Sequence, residues 1–111
     1  MSALRTLTEA ELLRQILLAI GSRPDVRLWR KNVGAAMSGG RFIRFGTPGA
    51  ADLLGLLQGG RFLAIEVKSA TGRLTPEQRA WGEMVQRFGG TYLVVRSVEE
   101  AVSAVEEALH G

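Results

Sequence analysis

Cysteine is absent from the 111 residues, so neither a disulfide nor a thiolate-bound zinc can form, and a cytoplasmic location is expected. Lysine is almost absent as well: twelve of the fourteen basic residues are arginine, leaving only Lys31 and Lys68. Arginine forks onto phosphate through two parallel hydrogen bonds, whereas lysine is a point charge whose pKa a protein can tune. Aspartate occurs only at Asp25 and Asp52, against nine glutamates. Such sparing use marks Lys68 and the two aspartates as candidates for chemistry. The lone histidine, His110, lies one residue from the C-terminus, a poor place for a general base. No apolar run approaches a bilayer span; the longest cover residues 16–20 and 53–57. The opening residues also lack the layout of a signal peptide.

What remains is ordinary globular material, with 46% hydrophobic and 23% charged residues and a net charge of +3. A chain of this length forms one domain, residues 1–111, and buries roughly two-thirds of its unfolded surface.

Thr8-Glu9-Ala10-Glu11 has the form of a capping box, and Leu12, Leu13, Ile16, Leu17 and Ile20 follow at helical spacing, which predicts a helix over residues 9–20. Gly21 stops it, and Pro24-Asp25 turns the chain into a strand over residues 26–33. Residues 34–40 read as a loop of small residues and 41–45 as a strand or hairpin arm. Two further strands, 52–57 and 61–69, are joined through Gln58-Gly59-Gly60. A second capping box, Thr75-Pro76-Glu77-Gln78, opens a helix that reaches about residue 88, with Trp81, Val85 and Phe88 as its apolar stripe. Residues 91–95 are β-rich, and a third box, Ser97-Val98-Glu99-Glu100, opens a last helix over residues 98–109. The order is α, β, β, β, β, α, β, α. A right-handed crossover makes residues 91–95 parallel to the strand before the second helix. The fold class is α/β, a mixed sheet flanked by helices.

Asp52 and the triplet Glu66-Val67-Lys68 carry the chemistry. Alternate strand residues share a face, so Glu66 and Lys68 project together while Ile65 and Val67 point into the core. Two hard carboxylates suit Mg²⁺ or Mn²⁺, which activate water and neutralise charge on a phosphate. A lysine beside them can hold the water or the developing oxyanion. The combination points to metal-assisted phosphodiester hydrolysis. Register matters here: a two-residue loop would set Asp52 opposite Val67, whereas a three-residue loop pairs Leu57 with Arg61 and sets Asp52 opposite Glu66. The three-residue loop is the expectation.

Helix one offers two acids. Glu11 is already explained by its capping-box role, so Glu9 is the candidate for the site, with Glu11 in reserve. Gln78 is both the capping glutamine and a neutral amide that can orient water or phosphate. Arg30, Lys31, Arg41, Arg44 and Arg73 would form a basic rim for DNA phosphates if their segments face the site. Trp29 and Trp81 read as packed core residues rather than as base-stacking platforms.

Glu9, Asp52, Glu66-Val67-Lys68 and Gln78 together resemble the virus-type replication-repair nuclease (VRR-NUC) domain, a branch of the PD-(D/E)xK nuclease superfamily. The similarity extends over Arg30-Lys31-Asn32-Val33-Gly34, Gly49-Ala50-Ala51-Asp52-Leu53, Ile65 to Ser69 and Gly72-Arg73-Leu74-Thr75-Pro76-Glu77-Gln78. Ala51 departs from the proline common before the acid, and Lys31 stands where arginine or asparagine is also seen. The resemblance implies a restriction-endonuclease-like fold and a structure-selective endodeoxyribonuclease dependent on Mg²⁺ or Mn²⁺. Its implied catalytic set is Glu9, Asp52, Glu66, Lys68 and Gln78, with Asp52, Glu66 and Val67 at the metal and no small-molecule cofactor. It further implies a homodimer acting on branched DNA such as four-way (Holliday) junctions, of bacterial or phage origin, away from membranes. The alternatives are a catalytically silent DNA-binding module, or an interaction subunit of a recombination or repair complex that keeps the nuclease fold.

Overall fold

The computed structural model describes residues 6–31, 35–38, 41–44 and 48–111, with only the backbone of 35–38 and 41–44. Helix α1 (Glu9–Gly21) begins where expected, because the Thr8 hydroxyl accepts the Glu11 amide while Glu11 reaches back to the Thr8 amide. Strand β1 (Val26–Arg30) follows and ends short of the expected residue 33: Lys31 lies just past it, and residues 32–33 lie outside the described residues. Ala35–Ser38 forms strand β2, antiparallel to β3 (Arg41–Arg44), so the expected small-residue loop is instead one arm of a separate two-stranded sheet. Ala-Ala-Met-Ser lacks the alternation that marks a strand, and its pairing comes from β3 instead. Phe45, expected in that arm, also lies outside the described residues.

Strands β4 (Leu53–Leu57) and β5 (Arg61–Val67), helix α2 (Pro76–Arg87), strand β6 (Thr91–Val95) and helix α3 (Val98–His110) complete the chain. The main sheet has the order β1-β4-β5-β6, with β5 and β6 parallel and the other neighbours antiparallel. Leu57 pairs with Arg61 across residues 58–60, so the turn has the expected three residues. Gly59 and Gly60 supply its positive φ angles, 102° and 90°, and the Gly60 amide closes it on the Leu57 carbonyl at 2.9 Å.

The sheet is sealed on one face. Val26, Leu53, Leu57, Leu63, Ile65, Val67 and Val95 meet Leu12, Ile16 and Ile20 of α1 and Ala101 and Val105 of α3 in one buried cluster. Arg23 ties the segment after α1 to α3, gripping Asp25 with two nitrogens (2.9 and 3.1 Å) and Glu106 at 2.6 Å. Asp25, one of the two scarce aspartates, is thus bound in a structural ion pair that pulls its carboxyl below the usual range. His110 lies in the last turn of α3, 3.3 Å from Glu106. The opposite face is covered by α2 over β6 and is otherwise more open: Trp29 is 47% exposed and Leu56 and Phe62 are also exposed. Trp29 therefore departs from the packed position expected of it. Phe88 departs likewise; it caps α2 and projects into solvent at 79% exposure instead of extending the helix stripe. Among the described residues no helix is long and apolar enough to cross a membrane.

Candidate metal and phosphate site

Continuing the β4–β5 register by one residue sets Asp52 opposite Glu66, and the Val67 amide donates to Asp52 Oδ2 at 2.8 Å. Directly opposed residues place their Cβ atoms about 5 Å apart, within reach of one cation. On the other side the Lys31 amide donates to the Asp52 carbonyl at 3.0 Å, which extends β1 pairing and sets Lys31 beside Asp52. Lys31, Asp52 and Glu66 thus form one row across three strands, on the face away from the α1–α3 core. Lys68 follows two residues after Glu66 on the same face, its amide held by the Val95 carbonyl at 3.0 Å.

Glu66 and Lys68 are the buried charged residues of the described chain, 2% and 8% exposed. An isolated charge at such depth is costly unless paired or bound. Glu66 Oε1 accepts from Gln78 Nε2 at 3.3 Å, while Glu66 Oε2 is buried with no hydrogen-bond donor among the described residues. Burial first, then proton sharing with the Asp52 carboxyl and repulsion by its charge, push the Glu66 pKa from 4.5 up to about 8; Lys68 and Lys31 offset part of this. The lone oxygen, the opposed carboxylate and the raised pKa fit a hard divalent cation, which would take the place of the proton.

Helix α2 holds Gln78 at the site. Thr75 caps it, and Gln78 Oε1 accepts the Thr75 amide at 2.9 Å, leaving its Nε2 to face Glu66. One amide therefore serves both the helix and the carboxylate. Gly49 lets the segment before Asp52 approach that first turn: its φ is +82°, and a Cβ there would lie 2.3 Å from the Glu77 carbonyl oxygen. Ala51 is fully buried in this approach.

The remaining expected residues scatter. Lys31 is more central than a rim residue, and its Nζ donates to the Ala50 carbonyl at 2.8 Å. Arg30 is exposed at the end of β1 and Arg73 is exposed between β5 and α2. Arg41 and Arg44 lie on β3, where only the backbone is described. Glu9 is exposed in the first turn of α1, without a contact to Asp52, Glu66 or Lys68 among the described residues. Glu11 is engaged with Thr8. Consistent with this, no group of three or more His, Cys, Asp or Glu gathers among the described residues. Val67 contributes its amide to Asp52 and its side chain to the core.

Two supporting residues had no sequence signal. Tyr92 of β6 packs its ring where a Cβ on Gly82 would be, lies edge-on to Trp81 at 6.1 Å, and is pushed up to about 12 by burial and then by the charges of Glu66 and Asp52. Arg96 Nη1 donates to the carbonyls of Ser69 (2.5 Å) and Gly72 (2.7 Å), pinning the loop that leaves Lys68. Both contacts are long-range, invisible to local pattern.

The family model of the VRR-NUC domain matches residues 5–99. A solved structure named VRR_NUC domain protein superimposes with a TM-score of 0.68 at 17% identity, covering 96% of this chain and 91% of that one. At that identity the likeness is one of fold. No curated protein matches the chain.

Proposed function

Because the chain belongs to the VRR-NUC domain family, a nuclease family, we propose that it is a divalent-metal-dependent endonuclease that hydrolyses phosphodiester bonds in branched DNA, four-way junctions included. The observation that carries this reading is the buried Glu66 Oε2, left without a donor opposite Asp52 and beside Lys68. A binding module gains nothing from two facing carboxylates beside phosphate; a nuclease needs them.

Asp52 and Glu66 would hold Mg²⁺ or Mn²⁺, which supplies charge neutralisation at the phosphate and a more acidic water when bound. Few protein ligands suit Mg²⁺, which keeps several waters. Lys68 then directs its ammonium to the attacking water or the oxyanion that develops on the phosphate, and its burial strengthens that interaction. Gln78 fixes the Glu66 carboxylate from behind. Lys31, anchored on Ala50 and retaining two more N–H donors, meets a phosphate oxygen beside Asp52. A two-fold dimer would present two such centres to a symmetric junction and yield paired cuts.

Incubation with a four-way junction and Mn²⁺ tests the reading. Cleavage lost in both Glu66→Ala and Lys68→Ala supports it; cleavage that survives both places the activity elsewhere. Metal-independent binding without cleavage would instead favour a silent DNA-binding module.

A further inference from the structure

Strand β1 is the edge of the main sheet, and its residues Arg27 and Trp29, with Lys31 just past its end, project on the face that carries Asp52 and Glu66. The registers define three rows on that face. Lys31, Asp52 and Glu66 form the first; Trp29, Leu54, Ala64 and Tyr92 the second; Arg27, Leu56 and Phe62 the third. Rows are about 7 Å apart along a strand, so Trp29 lies diagonal to Asp52, between two cations. Its ring is 47% exposed and continues into exposed Leu56 and Phe62.

An apolar protein partner on this face would bury Arg27, whose side chain meets a backbone carbonyl and no carboxylate among the described residues, and that is costly. A ligand with flat apolar rings joined by anions meets both demands, since its rings cover the indole and its phosphates reach the flanking cations. We propose that Trp29 is a stacking platform for an unpaired base of the DNA strand entering the site, with Arg27 and Lys31 on the neighbouring phosphates. The proposal rests on the nuclease reading of Asp52, Glu66 and Lys68 and adds the feature that selects the substrate. A branch or flap offers an unstacked base, whereas a blunt duplex must first lose stacking and pairing.

The test is binding in EDTA, where no metal-dependent cleavage occurs, using fluorescein-labelled oligothymidylate and a blunt duplex of equal length. Trp29→Ala should weaken oligothymidylate binding about 5- to 150-fold and leave duplex binding nearly unchanged, with Trp29→Phe close to wild type. In a Trp81→Phe background, oligothymidylate should quench the remaining Trp29 emission and the duplex should not. Equal affinity in Trp29→Ala, or quenching by both DNAs alike, overturns the proposal. So does a Trp29 emission that shifts with protein concentration alone while sedimentation reports a dimer, because the second copy is then the occupant. Lys68→Ala separates the two readings. Loss of cleavage with quenching intact supports both; quenching without any wild-type cleavage in Mn²⁺ removes the nuclease and keeps the platform; cleavage without quenching does the reverse.

Discussion

Gln78 and Glu66, twelve residues apart in the chain, are joined by a 3.3 Å hydrogen bond from the Gln78 amide nitrogen, while the oxygen of the same amide caps helix α2. Substitutions can divide these duties. Gln78→Glu keeps the cap, because glutamate serves in a capping box equally well, but sets a carboxylate against Glu66. Gln78→Ala removes both. We expect Gln78→Ala to lower stability by about 1 kcal/mol and Gln78→Glu to melt near wild type, with cleavage reduced about 10- to 100-fold in each. Thermal melts alongside junction cleavage in Mn²⁺ check this; full activity in Gln78→Glu would reduce Gln78 to a cap.

The raised pKa of Glu66 ties stability to pH. The native state favours the protonated carboxyl, so its contribution is complete below the ordinary 4.5 and is lost as pH rises through about 8. Metal-free protein should therefore melt progressively lower between pH 5 and pH 8.5, at about 4–8 °C per kcal/mol for a domain near this size. Glu66→Gln should flatten that dependence. Mn²⁺ should raise the melting temperature most at the alkaline end, where it no longer competes with the proton.

At Gly49 an alanine meets two penalties, a positive φ and a Cβ 2.3 Å from the Glu77 carbonyl oxygen. Gly49→Ala should cost about 1–3 kcal/mol. It should also push the segment before Asp52 off helix α2, so activity should fall further than the loss of stability alone explains. Cleavage measured well below the variant's melting temperature separates the two effects.

For Lys68, truncation to alanine should slow single-turnover cleavage by about 10²- to 10⁴-fold with DNA binding in EDTA largely retained. Lys68→Arg should not restore the rate, since a planar fork cannot replace a compact ammonium in a site only 8% exposed. Recovery in Lys68→Arg would mean that charge alone suffices.

Much of this arrangement was legible from local rules. The turn of residues 58–60 fixed the pairing of β4 with β5, because its length leaves one register that joins the two carboxylates. The helix starts at Thr8 and Thr75 followed from their capping boxes; at Ser97 only the forward bond, from the Glu100 amide, is present among the described residues. Other features depended on where distant pieces land. Trp29 has the composition of a core residue, and only the position of α2, over β6 and away from β1, leaves it exposed. Sparing use pointed equally to Asp25 and Asp52, yet Asp25 is taken by Arg23, a partner two residues away. Glu9 and Glu11 were distinguished by the capping box, but that rule says what Glu11 does and nothing about how far Glu9 can reach.

The pleat of β4 and β5 sorts their residues by parity. Positions 53, 57, 63, 65 and 67 are all fully or almost fully buried against α1 and α3, whereas 52, 54, 56, 66 and 68 look the other way. A randomised library at the odd positions should therefore fail at the level of soluble yield. One at the even positions that keep solvent access, 52, 54, 56 and 62, should deliver mostly folded protein with altered or absent catalysis, whereas Ala64, Glu66 and Lys68, buried on that same face, should tolerate few replacements; robustness and reactivity can be evolved one at a time only where the reactive face stays open.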